Sequence, residues 1–448
     1  MFKKNSLLKI MKKNIWIWAL AATTLMTACS KNDDPVVEEP EKQVTEDDWV
    51  SPDGQVVIQL GGGDYTASAN VGTRAPLTNN TFANGKTTVG IYAASTTGAW
   101  NTTGNLLLEN RKAVVTSEER NEADGADVSH TNLGTSENPD VGTDGNPAVT
   151  APYKISLYDN TGTAPSCVEY YPMQATKNFT FYGYGPYLDS NTAKTTANGA
   201  TVTFEGFNGS QDIIWNKAEA KTIAAGDIYE TSGTLTTTAI NGYNAKYIRM
   251  LKYHRELNSQ NTLKNYPWVP NICFTHQLTQ LQFYVVPAEK QSTADKTAAG
   301  KMRVRNITIQ AQGTPTLNIL DGTLTASGTT ANLQMRGTDA SGNFTDDVSN
   351  ADLQPETNGK VAGYLMLIPA NSYQLELTVV PPLAGGATGA LDEDNAQTVT
   401  LTLSNGNDGF VAGSSYNIKI GIYAMQQVEA DASLTEWTDK GDVNIDVE

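Results

Sequence analysis

The sequence predicts an all-β protein, and three observations carry that prediction. Apolar residues recur at every second position in run after run; Thr, Val, Tyr and Gly are abundant, with turn dipeptides between the runs; and no long window shows the 3.6-residue apolar period of a helix. Short strands joined by turns fit two-sheet sandwiches, in which each strand buries one face and wets the other. About 400 residues follow the N-terminal leader and its tether, which at ordinary domain sizes predicts two domains in tandem.

The N-terminus combines a basic start (Lys3, Lys4, Lys9, Lys12, Lys13) with an apolar run from Ile15 to Met26. That run is short for a membrane-spanning helix, which needs about 20 apolar residues, and it ends in small residues and a cysteine, "LMTACS". A secretion signal over 1–28 is the stronger reading and a membrane span the weaker. Leu25 to Ala28 before Cys29 resemble the lipobox of bacterial lipoproteins, with Met26 where Leu is preferred, so Cys29 is the expected lipidation site. Met11 begins a well-formed signal by itself, which leaves two translation starts open, Met1 and Met11.

Residues 29–48, "CSKNDDPVVEEPEKQVTEDD", hold Pro and acidic residues and almost nothing to bury, the composition of an extended tether. Acidic residues just after a lipidated cysteine also resemble the surface-export signals of Gram-negative lipoproteins. The net charge is −17, and it becomes −22 once the five lysines of 1–28 are removed. Such a chain has no electrostatic attraction to nucleic acid or to anionic lipid, so both are excluded as partners.

Alternating runs predict the strands in order. Val56, Ile58 and Leu60 share a face; Phe179 and Phe181 follow; then Leu281, Phe283 and Val285; Ile307, Ile309 and Ala311; Tyr373 to Val379; Val399, Leu401 and Leu403; and Tyr416, Ile418, Ile420 and Ile422. "KAEAKTIAA" has the composition of a helical turn or two, with no larger helix expected. The stretch 117–149, rich in Asn, Asp, Gly and Thr, reads as a surface excursion. A domain junction is expected near residue 270, where Pro267 and Pro270 flank Trp268.

Chemistry-bearing motifs are sparse. His130, His254 and His276 lie far apart without ligand spacing, and His276, in an alternating run, reads as a packed strand residue. No zinc motif, nucleophile elbow or phosphate loop is present, and Gly61 to Gly63 open no helix, so a dinucleotide site fails. No metal, cofactor or enzymatic activity is expected. With Cys29 acylated, Cys167 and Cys273 offer no disulfide framework and read as buried thiols, although their pairing stays open.

Two features bear on assembly. Arg74 and Ala75 lie in a stretch of small residues after the 56–60 strand, a setting in which an Arg-Ala bond is cleavable by a trypsin-like enzyme; an ordinary surface arginine in a turn is the other reading. At the far end Val443, Ile445 and Val447 alternate with Asn444, Asp446 and Glu448, and upstream Val428, Ala430, Ala432 and Leu434 alternate as well. Burying the last three apolar side chains contributes about 5–9 kcal/mol before ordering costs, at about 1.5–3 kcal/mol each. Alternation shows a buried face without naming its partner, so pairing within the chain's own domain and pairing with a neighbour both stand.

Fragments spread along the chain resemble the fimbrillin family, the subunits of protease-assembled type V pili: "GTRAP" at 72–76, "YYPMQATKNFTFYGYGPY" at 170–187, "DIIWNKA" at 212–218, "FTHQLTQLQFYV" at 274–285, "YLMLIPA" at 364–370, "GSSYNIKI" at 413–420 and "LTEW" at 434–437. Asn216 and Lys217 stand where the family more often has small apolar residues, and the 117–149 stretch is long for it. The resemblance implies two tandem transthyretin-like β-sandwiches, at 75–270 and 271–448, behind a propeptide strand at 49–74. It further implies lipoprotein export to the outer membrane and removal of the N-terminal strand (Val56, Ile58, Leu60) after Arg74 by an arginine-specific protease. Polymerisation with other pilin subunits would follow, through a donor strand within about 426–448 that carries Val443, Ile445 and Val447. The alternative is a cell-anchored or tip adhesin that does not polymerise and binds glycan or host protein.

Overall fold

Among the described residues most alternating runs become strand, but the strands close differently than expected. The computed structural model describes residues 55–64, 88–119 and 153–435, apart from 160–164, 166, 174–176, 190–192, 227–237, 258–268, 341, 350, 358 and 425–427. Cys29, Arg74, Ala75, the tether, the 117–149 excursion beyond Glu119 and the Val443, Ile445, Val447 tail lie outside the described residues.

In place of a first sandwich, seven strands form a closed barrel. They are β1 (Leu60–Asp64), β2 (Thr88–Ser95), β3 (Leu106–Glu119), β4 (Tyr153–Leu157), β5 (Phe179–Gly185), β8 (Ile214–Ala218) and β9 (Asn271–His276), in the order β1-β4-β3-β2-β5-β8-β9. Long strands must coil to close. Asn110, at φ 43°, sits where the β2–β3 register shifts between Ile91 and Ala93, and its side chain accepts from the Tyr184 hydroxyl at 2.7 Å.

The intervening hairpin, β6 (Ala193–Thr196) and β7 (Gly199–Thr203), leaves the barrel and joins a sheet of the second half through β11 (Arg303–Asn318). That sheet runs β17 (Gln397–Ser404), β16 (Ser372–Val380), β11, β7, β6, with β12 (Leu324–Gln334) also on β11. The other sheet runs β14 (Phe344–Val348), β13 (Arg336–Thr338), β15 (Gly363–Leu367), β10 (Thr279–Pro287), β18 (Ser415–Ile422), β19 (Val428–Thr435). Leu281, Phe283, Ile418 and Ile420 from one sheet meet Val304, Ile309, Leu375 and Leu377 from the other in one buried cluster, so this half is a two-sheet sandwich. Residues 271–276 are barrel wall, and 193–203 belong to the sandwich. Pro270 immediately precedes the strand that closes the barrel.

One expected helical turn is absent and one helix is new. "KAEAKTIAA" holds the end of β8 and the bridge of Ile223 to Ile240. The helix is α1 (Ala245–Leu257), capped where Asn244 Oδ1 accepts from the Tyr247 backbone N–H at 2.7 Å. Its Tyr247, Ile248 and Leu251 enter the barrel core beside Val56, Ile58 and Leu60. The signal was present: an Asn cap followed by apolar residues at helical spacing. A shorter helix, α2 (Thr293–Ala299), follows β10 and is capped by Ser292.

β2 and β5 depart from the one-wet-face expectation, since β5 is buried at every residue. Their outward side chains, Tyr92, Ala94, Tyr182 and Tyr184, pack with Val202, Leu317, Phe344 and Tyr364 of the sandwich. At the same junction the side chains of His276 and Asp212 are each 1% exposed, with Nδ1 and Oδ2 at 2.7 Å. His276 is thus a packed strand residue with a carboxylate partner. Trp215 donates from Nε1 to the Ile319 carbonyl at 2.9 Å, and its ring fills the space where a side chain at Gly322, φ +77°, would stand.

Candidate functional site

The segment predicted to be displaceable is structurally central. Val56, Ile58 and Leu60 are 0%, 6% and 2% exposed and belong to the barrel core with Ile155, Leu157, Tyr171, Ile272 and Phe274. Alternation explains the local structure: Gln55, Val57 and Gln59 face away while every second side chain enters the core.

The backbone is held on both flanks. Val57 bridges Tyr170, the Ile58 N–H donates to the Glu169 carbonyl at 2.7 Å, and the Tyr171 N–H donates to the Val56 carbonyl at 2.9 Å. Further on, β1 pairs antiparallel with β4, Leu60 opposite Ile155, and parallel with β9, Gly61 opposite Asn271 through Asp64 opposite Phe274. The Gly61 N–H donates to the Pro270 carbonyl at 3.0 Å. Because β1 is the only link between β4 and β9 in the barrel path, its removal would open the wall and leave two unpaired edges over an apolar groove.

The triple glycine has a packing reason that spacing did not reveal. A side chain at Gly62 would run into Ile155, Cδ1 and then Cγ1 at 2.7 Å. Gly62→Val is therefore expected to destabilise the full chain by about 1–3 kcal/mol through overpacking. A urea melt checks this, and an unchanged midpoint would show that the contact is slack.

Flanking groups support the slot. Arg111 donates from Nη1 to Glu169 Oε1 at 2.6 Å and from Nη2 to Cys167 Sγ at 3.3 Å. Burial pushes the Glu169 carboxyl up, opposed by Arg111 and by hydrogen bonds from Arg111 and Cys167. Burial likewise pushes the Tyr171 phenol well above its ordinary range. Cys167 is half-buried where a buried thiol was expected, Cys273 is buried, and no disulfide joins them. Asn216, one of the two departures from the family pattern, uses its amide to donate to the Cys273 carbonyl and so ties β8 to β9.

The upstream part of the expected donor segment holds β19, 428–435. β19 pairs antiparallel with β18 along its length, Tyr416 opposite Leu434 through Ile422 opposite Val428, as the edge strand of its own sheet. Ile418, Ile420 and Ile422 are buried, and Ala430, opposite Ile420, is 7% exposed. Residues 436–448 lie outside the described residues. Among the described residues no group of three His, Cys, Asp or Glu side chains is placed to hold a metal ion, and no helix is long and apolar enough to cross a membrane.

No family model matches the sequence, and no curated protein matches it. Solved structures similar to it include a proposed cell adhesion protein of Bacteroides uniformis, 18% identical, covering 87% of this chain and 100% of that one at a TM-score of 0.40. A fimbrial protein of Bacteroides vulgatus is 13% identical, with 85% and 99% covered and a TM-score of 0.41. The fimbrial anchor protein of Porphyromonas gingivalis is 7% identical, with 85% and 97% covered and a TM-score of 0.31. These overlaps are too loose to carry function across, so the reading below rests on the strand pairings of this chain.

Proposed function

We propose that the chain is a structural subunit of a cell-surface fimbria, exported to the outer membrane as a lipoprotein on Cys29, cut between Arg74 and Ala75, and joined to other subunits by strand exchange. The observation that carries this reading is the placement of 60–64 as an inner strand whose loss opens the barrel, with 56–58 bonded to 169–171 just before it.

The energetics favour a strand that stays until it is cut. Val56, Ile58 and Leu60 contribute about 5–9 kcal/mol of burial, at about 1.5–3 kcal/mol each, and main-chain bonds on both flanks add about 1 kcal/mol apiece. Arg74 lies ten residues past Asp64. Cleavage there leaves 374 residues with a net charge of −15, frees them from the lipid anchor, and turns the strand from a tethered part into a separable peptide.

The tail has the period the vacated slot requires: Val443, Ile445 and Val447 alternate as Val56, Ile58 and Leu60 do. An arginine-specific protease and homologous pilin subunits are the partners this assembly needs, and within it the sandwich half is read as a transthyretin-like unit.

The test is intact mass and N-terminal sequencing of material sheared from cells, with an unboiled denaturing gel alongside. An Ala75 start and a heat-labile ladder are expected. A lipidated Cys29 start with monomer alone would overturn the reading in favour of an anchored adhesin that does not polymerise.

A further inference from the structure

Closure removes the edges of the barrel, but the sandwich keeps five among the described residues: β14 and β19 end one sheet, β17 and β6 end the other, and β12 flanks β11. A free edge presents unpaired amide and carbonyl groups and templates pairing with another chain unless something blunts it. Four of the five are blunted. β14 has five residues, Asp346 and Asp347 among them; β6 has four, with Lys194; β19 carries Glu429 and Asp431; and β12 is broken by register shifts against β11 around Gly328, at φ +69°.

β17 has none of these devices. Its eight residues, QTVTLTLS, hold no charge and no proline, and all eight pair with β16 without a register shift, Gln397 opposite Val379 through Ser404 opposite Ser372. Its other margin pairs with no described strand. Gln397, Thr398, Thr400 and Thr402 are exposed, and Val399 and Leu401, which pack against the sandwich core, are only half-buried. An open, regular and uncharged strand of this length is what main-chain pairing with another chain requires.

The chemistry of the strand points to its occupant. Laid antiparallel to a second β17 about Thr400 or Leu401, the strand sets Val399, Leu401 and Leu403 against one another and Thr398, Thr400 and Thr402 against one another. Both copies then use the same residues, and no charge on the strand is opposed. A parallel pair would instead bring together the two acidic approaches, Asp392, Glu393 and Asp394, which the antiparallel pair holds at opposite ends. One strand further in, Glu376 stands opposite Thr400 and accepts from Gln310 Nε2 at 2.5 Å. At a net charge of −17 two copies repel each other, and an uncharged strand is where they can approach. We infer that β17 is a self-association edge, through which two copies of the chain join their sheets in an isologous antiparallel pair. A contact this small is weak and reversible alone, and it gains strength where many copies are held side by side. It is independent of the strand slot.

Sedimentation velocity of the uncleaved full chain across the micromolar range tests this, with two variants alongside. Thr398→Lys, Thr400→Lys and Thr402→Lys together add the charge that blunts natural edges at exposed positions, so that variant should melt like the parent. A parent dimer is expected, with a dissociation constant at least tenfold higher in the lysine variant at an unchanged melting temperature. Serine at Val443, Ile445 and Val447 should leave the dimer intact. A parent that stays monomeric overturns the inference. So does a dimer indifferent to the lysines, or one abolished by the serines, which would assign the contact to strand exchange.

Discussion

An Arg74→Ala chain is expected to remain a cell-bound monomer, with the heat-labile ladder lost from sheared material and the N-terminus still at Cys29. The reason is competition for one slot. While 55–64 is covalently attached, its local concentration at the barrel is on the order of millimolar. A neighbour's tail at micromolar concentration faces about a thousandfold disadvantage even if it binds equally well. Cleavage removes that disadvantage by letting the strand diffuse away. A ladder from Arg74→Ala cells equal to that of the parent would mean that the strand leaves without a cut, or was never the gate.

Replacing Val443, Ile445 and Val447 together with serine is expected to abolish the ladder while leaving the uncleaved monomer as stable as the parent. The three side chains represent about 5–9 kcal/mol of burial at a subunit contact, at about 1.5–3 kcal/mol each. Loss of that burial lowers affinity by several orders of magnitude, at about 1.4 kcal/mol per tenfold. The monomer should be spared because β19 already completes the sandwich before residue 436. Urea denaturation of the uncleaved protein separates the outcomes. A large drop in its midpoint would show that the tail packs within its own chain, and the exchange reading would fail.

The strands were legible because their chemistry is local. The runs from Val56 through Ile422 alternate in sequence as the pleat requires, and the predicted inward residues of β10, β16 and β18 are buried, whereas Ala311, expected inward beside Ile307 and Ile309, is exposed at a register shift of β11 with φ 55°. Closure was not legible, because it depends on β1 lying parallel to β9, some two hundred residues away in sequence, and alternation says nothing about such a partner. The β6–β7 hairpin escaped for the same reason: its pairing with β11 is chosen by the sandwich core. β5 reads as half-wet, since Thr180 is polar and Tyr182 and Tyr184 carry hydroxyls, yet all three are buried, the two tyrosines against the sandwich. At the slot itself, the three inward residues were readable from period alone. The need for glycine at 62 was not, because it is set by Ile155 on a different strand.

Bonding of the 55–64 segment on both flanks has a mechanical corollary for whichever strand fills that gap. Traction along its axis stretches the rungs on its two sides simultaneously, in shear, instead of peeling them apart one after another. A fibre linked in this way would yield under load only when many rungs fail together, and its rupture force would far exceed that of a strand clipped to an open margin.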